Sequence, residues 1–255
     1  MNAGPVWRTP SELVTLGFAR SRVVMINEAH DGLKRCVRTR KVGKGVLGAA
    51  HDAGVRKLAM EALAGAFADE CNTKRKVPPN HLGYLGQPEM RELMQAALGL
   101  GWTLVPYEAS SRKWLDGAPG RVGDATTFMS MEYSNWREVE QARNLVAVLA
   151  GLPKAEKLLV WCGNGHNRKD RSDEWYPMAL RFREQSGVDP FCVDQIPTVR
   201  FTPGENAFAE RLLARHADAL GARGGTAGFL REEGDDELRE HPEDAFILST
   251  DNELV

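Results

Sequence analysis

The chain has 255 residues, of which 42% are hydrophobic and 27% are charged, and its formal net charge is -2 at pH 7. This length and composition are typical of a globular protein with room for a sizeable core. The nearly neutral charge predicts no general attraction to nucleic acid or to anionic lipid. No segment approaches the roughly 20 apolar residues that cross a bilayer.

In the N-terminal half, predicted helices alternate with short apolar runs that are typical of buried strands. Helices are predicted at 11–16, 47–53 and 88–100, and strands at 23–26, 57–60 and 102–107. The segment 72–87 is rich in Pro, Gly, Asn and basic residues, and the segment 110–127 is rich in Gly and Ser with basic residues. We predict that both are long loops.

The same alternation continues in the C-terminal half. Helices are predicted at 135–149, 175–184 and 207–220, strands at 158–162, 191–196 and 245–249, and a solvated loop at 221–240. Strands that alternate with helices predict a three-layer α/β fold, in which helices flank a mostly parallel central sheet on both faces. We expect a single domain over residues 1–255, with a core at about 20–200.

The four cysteines, Cys36, Cys71, Cys162 and Cys192, are widely spaced and include no CxxC pair. This spacing predicts reduced thiols rather than disulfides or a zinc ribbon, and Cys162 should be a packed, inert thiol. The N-terminus lacks a basic segment followed by an apolar one, so we expect a cytoplasmic protein.

Polar side chains follow each of the first four predicted strands. They are Asn27, Glu28 and His30 after the first, Glu61 after the second, Glu108 after the third, and Asn164 and His166 after the fourth. Because parallel strands end at the same edge of a sheet, where ligands bind, we expect these groups to share one rim. Taken singly, each has a structural explanation. Glu28, for example, could pair with Arg35, Arg38 or Arg40. Taken together, they favour a functional site.

Other titratable groups are less informative. The segment RCVRTRKVGK at 35–44 is either a solvated helix face or an electropositive wall that binds substrate. His51 is expected to be structural or exposed, His216 and His241 are expected to be solvated, and His81 is a minor candidate for the site.

Four motifs resemble the erythromycin-esterase-like, ChaN-like and TIKI-like superfamily. They are Asn27-Glu28-Ala29-His30 after the first strand, Glu61 after the second, Arg137-Glu138 through Ala142 to Asn144-Leu145 in a helix, and Gly163-Asn164-Gly165-His166 after a late strand. Their order and strand context agree with the family over about 20–200, although Asn27 stands where the family usually has glycine. Within this superfamily, the esterase branch activates water with a histidine and no metal, the TIKI branch contains metal-dependent proteases, and the ChaN branch binds haem.

We therefore predict a hydrolase that cleaves an ester, lactone or amide-like bond of a small-molecule or peptide substrate. His30 would be the general base, oriented by Glu28, and Glu61 would hold the water. His166 would bind the substrate carbonyl or act as a second acid or base, and Arg137 would pair with an acid of the site or stabilise negative charge. The predicted substrate-binding residues are Asp31, Arg40, Glu108, Asn144, Asn164 and Lys169.

Three alternatives remain open at the level of sequence. In a metal-dependent form, His30, Glu61 and His166 would bind one divalent ion. In a haem- or ligand-binding protein without turnover, His30 or Tyr107 would ligate iron. A biosynthetic tailoring enzyme would use the same site for elimination or proton transfer.

Overall fold

A seven-stranded sheet forms the centre of the computed structural model, which describes residues 4–32, 34–79, 83–118, 121, 123–201, 206–234 and 236–255. The strands are β1 (Val23–Asn27), β2 (His30–Asp31), β3 (Lys34–Arg35), β4 (Val55–Met60), β5 (Thr103–Pro106), β6 (Lys157–Cys162), β7 (Phe191–Asp194), β8 (Thr226–Leu230) and β9 (Ala245–Ser249). Their order in the sheet is β5-β4-β6-β1-β7-β9-β8. Neighbouring strands are parallel except β8, which is antiparallel to β9, and β2 and β3 pair separately.

Helices cover both faces of this sheet. They are α1 (Pro10–Arg20), α2 (Val37–Gly45), α3 (Leu47–Asp52), α4 (Gly65–Lys74), α5 (Pro88–Gly99), α6 (Ser111–Asp116), α7 (Ala125–Phe128), α8 (Met131–Ala150), α9 (Met178–Ser186), α10 (Ala207–Arg215) and α11 (Ala217–Gly221). Among the described helices, none is long and apolar enough to cross a membrane.

The central strand β1 shows how the apolar sequence produces these layers. Val24 and Ile26 pack into the core that includes side chains of α1 to α5, whereas Val23 and Met25 pack against α8 and α9 on the other face. Successive side chains of a strand point to opposite faces, so a continuous apolar run requires cover on both. The predicted three-layer α/β architecture with a mostly parallel sheet is therefore confirmed.

The strand register places the predicted polar residues along one edge. Asn27 of β1 lies beside Cys162 of β6, and Met60 of β4 lies beside both Trp161 of β6 and Pro106 of β5. Because these strands are parallel, the residues that follow them emerge at the same edge of the sheet.

The prediction of a solvated loop at 221–240 was wrong, because this segment contains β8, which is mostly buried. The glycine content of this segment favoured a loop, but Gly228 has a packing role within β8. A methyl group at this position would lie 2.2 Å from the Phe246 carbonyl oxygen and 2.5 Å from Leu13 Cδ1. The glycine therefore permits close packing between β8, β9 and α1.

The predicted loops at 72–87 and 110–127 also contain helical segments. The first overlaps the end of α4, and residues 80–82, including His81, lie outside the described part of the chain. The second contains α6 and α7, whose N-caps are Ser110 and Asp124. Their side chains accept hydrogen bonds from Lys113 N and Thr127 N, so these polar residues begin helices instead of extending a loop.

Two predictions about titratable side chains have different outcomes. His216 is 7% exposed and packs edge-on against Trp7, so it is not solvated as predicted. The four cysteines are free and buried, and burial raises the pKa of the Cys162 thiol well above its usual value. A protonated, buried thiol is a poor nucleophile, which agrees with the packing role expected for Cys162.

Candidate active site

A buried ion pair lies beneath the end of β1. Glu28 and Arg40 are both inaccessible to solvent, and Arg40 Nε donates to Glu28 Oε2 at 2.5 Å while Nη2 lies 3.2 Å from Oε1. The Arg40 guanidinium also donates to Gln87 and lies 4.9 Å from the centre of the Tyr84 ring. The 35–44 segment is thus not simply a solvated face, because α2 contributes a buried counter-ion to Glu28.

His30 lies directly above this pair and is partly open to solvent. Its Nδ1 is 3.3 Å from Glu28 Oε1, which is long for a hydrogen bond, and its side chain is 28% exposed. The ring packs edge-on against Tyr84, and Asn164 Nδ2 donates to the His30 carbonyl oxygen at 3.2 Å. His30 is therefore an accessible imidazole whose inner nitrogen faces a fixed carboxylate.

Glu61 at the end of β4 is held by cations and by backbone. Its Oε1 accepts a hydrogen bond from Arg137 Nη2 at 2.5 Å and lies 3.3 Å from His166 Nε2, and its Oε2 accepts one from Gly163 N at 2.5 Å. Burial alone would raise the pKa of Glu61, but the charges of His166 and Arg137 outweigh it and hold that pKa well below the usual value. Glu61 is a fixed carboxylate at neutral pH.

His166 lies between two carboxylates. Its Nδ1 is 2.6 Å from Glu138 Oε1, and its Nε2 faces Glu61. Burial favours the neutral ring, but Glu138 and Glu61 raise the pKa of His166 to about 10. This raised pKa favours the imidazolium form of His166 at neutral pH.

Arg137 joins two strand ends by bridging Glu61 and Glu108. Its Nε and Nη2 donate to the two oxygens of Glu108 at 2.8 and 2.6 Å. Glu108 also accepts hydrogen bonds from Gln141 Nε2 at 2.9 Å and from Ala62 N at 3.1 Å. The carboxylate of Glu108 is therefore saturated by protein donors and positions Arg137.

Glu138 belongs to this site although only its neighbour Arg137 was predicted. It is 2% exposed, contacts His166, and accepts a hydrogen bond from Met178 N at 2.5 Å. A signal was present in the sequence, because Glu138 precedes Gln141, Ala142 and Leu145 by three, four and seven residues. This spacing places a carboxylate on the buried face of α8.

The remaining predicted substrate-binding residues occupy different surroundings. Asn144 donates to the carbonyl oxygens of Tyr107 and Glu108 at 3.0 and 3.3 Å and so fixes the end of β5. Asp31 is exposed on the β2–β3 hairpin. Lys169 pairs with Asp189 and Asp244 instead of with a residue of the rim.

Trp175 lines two of the cavities at this edge of the sheet. The smaller, of about 290 Å³, is lined by Arg137, Glu138, His166 and Trp175 together with Met131 and Ser134. The larger, of about 540 Å³, extends from Asn164 and Trp175 towards Asp194 and Glu243. The positively charged groups Arg137 and His166 thus face a space that can hold part of a substrate.

The residues proposed as metal and haem ligands differ in how many of their ligand atoms are already bonded within the protein. His30, Glu61 and His166 fit a divalent ion poorly, because both oxygens of Glu61 already accept hydrogen bonds from Arg137 and Gly163. The ligand atoms of these three residues also do not form a described group within 4.8 Å of one another. Within the described residues, the side-chain grouping with metal-binding spacing is a different one, Asp194, His241 and Glu243. Tyr107 does not fit as a haem ligand, because it is 1% exposed and its hydroxyl donates to the Trp161 carbonyl at 3.0 Å.

No protein-family model and no curated protein matches the chain. Its fold is similar to that of a Bacillus cereus protein of known structure. The two are 10% identical with a TM-score of 0.58, over 99% of this chain and 94% of that one. It is also similar to ChaN of Campylobacter jejuni, described with cofacial haem binding, at 12% identity and a TM-score of 0.52 over 94% and 91% of the two chains.

Bacterial toxins are also among the similar structures. RRSP, a MARTX toxin effector domain from Vibrio vulnificus, is 16% identical with a TM-score of 0.46, and the match covers 78% of this chain but 36% of that one. The chain thus spans little more than a third of that toxin structure. At these identities the likeness concerns the fold alone, and the chain has a fold distantly similar to that of ChaN.

Proposed function

We propose that the chain is a hydrolase of an ester, lactone or amide-like bond, with His30 as the general base for water. The observation that carries this proposal is the series Arg40–Glu28–His30, of which the first two side chains are buried. Arg40 fixes the Glu28 carboxylate. That carboxylate faces Nδ1 of His30, whose side chain is partly exposed to solvent. A carboxylate beside Nδ1 favours the tautomer that carries its proton there, which leaves Nε2 free to accept a proton.

A second group of residues supplies positive charge beside this base. Arg137 and the imidazolium of His166 line the smaller cavity, and both are held by carboxylates. Fixed cations in a partly buried site stabilise the negative charge that develops on a carbonyl oxygen during hydrolysis. Glu61 positions both cations, and its side chain converges with that of His30 on Gly163.

The proposed reaction uses a water molecule, His30 as the base, and Arg137 and His166 as the positively charged groups. The oxygen of a water molecule attacks the carbonyl carbon while His30 Nε2 accepts its proton, and the carbonyl oxygen takes the negative charge near Arg137 and His166. When the bond from carbon to the leaving oxygen or nitrogen breaks, that atom takes the proton from His30. Glu28 stabilises the transient imidazolium throughout.

We also propose that the chain is a distant member of the erythromycin-esterase-like, ChaN-like and TIKI-like superfamily. The fold similarity to ChaN supports this assignment, and so does the position of the motifs. The residues of the Asn-Glu-Ala-His motif, Glu61, Arg137 and the Gly-Asn-Gly-His motif lie at one edge of the sheet. The poor fit of His30, Glu61 and His166 to a divalent ion favours the metal-free chemistry over the metal-dependent alternative, and the buried, hydrogen-bonded Tyr107 leaves His30 as the haem ligand of the haem-binding alternative.

The proposal is tested by measuring hydrolysis of a panel of p-nitrophenyl esters, lactones and peptide amides. We expect the protein to hydrolyse at least one class, and we expect His30→Ala to lower kcat/KM about 100-fold or more, in the range for loss of a general base. His51→Ala is the matched control, because His51 lies away from the rim and accepts a hydrogen bond from Trp102. Wild-type activity in a folded His30→Ala variant, or no turnover of any class by the wild type, would refute the proposal.

A further inference from the structure

A second cluster of titratable side chains lies beyond the catalytic rim. Asp194 ends β7, and His241 and Glu243 lie just before β9, which pairs with β7. One potential ligand atom from each of the three lies within 4.8 Å of the other two. His241 was expected to be solvated, but it is half-buried and lines the 540 Å³ cavity together with Asp194 and Glu243.

The carboxyl groups of this cluster have unused hydrogen-bonding capacity. Glu243 is 2% exposed, and no described residue donates a hydrogen bond to its buried Oε2. Asp194 accepts hydrogen bonds from Asn27 Nδ2 at 2.7 Å and from Ile196 N at 2.9 Å, both on Oδ1. Burying a carboxyl oxygen without a partner is costly, so Glu243 Oε2 in a cavity wall indicates a ligand.

The neighbouring cations are engaged elsewhere. Arg168 lines the same cavity, but its Nε and Nη2 donate to the two oxygens of Asp170 at 3.0 and 2.8 Å. Lys169 pairs with Asp189 and Asp244. Two nearby carboxyl groups and an imidazole therefore face the cavity without a salt bridge to either of these cations.

We propose that Asp194, His241 and Glu243 bind a divalent first-row cation of the Zn²⁺ or Mn²⁺ type, which enters through the larger cavity. A set of two carboxylates and one imidazole suits these ions better than Ca²⁺ or Mg²⁺, which prefer oxygen ligands alone. Ligands of zinc lie about 2.1 Å from the ion and so roughly 3–4 Å from one another, which small side-chain rotations would reach here. The proposed ligands are different residues from those of the catalytic rim. The two sites are connected through Asn27, which precedes Glu28 in the chain and donates a hydrogen bond to Asp194.

Calorimetric titration of the full chain with ZnCl₂ and with MnCl₂, together with metal analysis after dialysis, tests this proposal. We expect one ion per chain for at least one of the two metals. Glu243→Gln and His241→Gln should each weaken binding at least tenfold, since each replaces a carboxylate or an imidazole with a neutral amide, which is a weaker ligand for these ions. His241 is only half-buried, so its variant keeps the test valid if Glu243→Gln does not fold.

His30→Ala is the control that separates this site from the rim. We expect the control to bind the ion as tightly as the wild type, whether or not the proposed hydrolase activity is found. Loss of binding in His30→Ala, unchanged binding in both Gln variants, or no binding of either metal by the wild type would each overturn the proposal.

Discussion

Gly163 determines how closely the two halves of the candidate active site approach each other. A methyl group at this position would lie 2.7 Å from His30 Cε1 and 3.0 Å from Glu61 Oε2. Neither side chain can easily move away, since Glu61 is bound by Arg137 and by the Gly163 N–H, and His30 packs against Tyr84. The absence of a side chain at 163 is therefore a requirement of the site.

We predict that Gly163→Ala lowers kcat/KM about 100-fold on any ester that the wild type hydrolyses, because displacing a catalytic group by about 1 Å can cost that much. Gly48→Ala is the matched control, because nothing lies within 4 Å of a methyl group at position 48. Circular dichroism checks that both variants fold. A folded Gly163→Ala variant with wild-type kcat/KM would show that the approach of His30 to Glu61 is not needed.

The individual site residues differ in how well the sequence predicts them. His30 and Glu61 follow apolar runs, and parallel pairing alone brings strand ends together, so their position could be predicted. Lys169 also follows the polar Gly-Asn-Gly-His segment, but it turns towards Asp189 and Asp244. The direction of a side chain after a strand depends on the loop backbone, which the residue pattern does not specify.

At the scale of elements, β8 is a strand that the amino-acid composition of its segment did not predict. Its segment is rich in glycine, yet its burial is almost complete. We predict that Gly228→Ala lowers the free energy of unfolding by about 1–3 kcal/mol, the usual cost of overpacking a core. The physical reason is the lack of space beside the Phe246 carbonyl oxygen and Leu13.

Urea denaturation measures this effect, and Gly221→Ala serves as control because a methyl group there meets nothing within 4 Å. Equal stability of Gly228→Ala and the wild type would mean that β8 can shift away from α1.

The elements that the sequence predicted well are those whose own residues determine their burial. β1 is apolar from Val23 to Ile26 and needs cover on both faces, and α8 has a regular apolar stripe. In α2, by contrast, a basic sequence contributes a fully buried arginine, whose burial depends on Glu28 twelve residues earlier. The sequence offered Arg35, Arg38 and Arg40 as partners of Glu28, but local periodicity could not select Arg40 or predict that the pair is fully buried.

At the scale of the whole molecule, the strand order brings the rim residues together from distant parts of the chain. The order β5-β4-β6-β1 places Glu108, Glu61, His166 and Glu28 at successive strand ends. Glu28, Glu61, Glu108 and Glu138 are matched by Arg40, Arg137 and the imidazolium of His166. The stability of the fold is therefore coupled to the ionisation of the site.

This coupling predicts a pH dependence of stability above neutrality. Burial lowers the pKa of His166, but Glu138 and Glu61 outweigh it and raise that pKa to about 10 in the folded chain, from an ordinary value of about 6.5. A raised pKa in the folded state stabilises the protein fully below pH 6.5, and this contribution is lost as pH rises to about 10. We expect the difference in unfolding free energy between wild type and His166→Gln to shrink steadily across that window, as measured by urea denaturation at several pH values. Groups that titrate alike in both proteins contribute equally to the two unfolding free energies and do not affect their difference. If that free-energy difference stays constant from pH 6.5 to 10, His166 is not protonated in the folded chain.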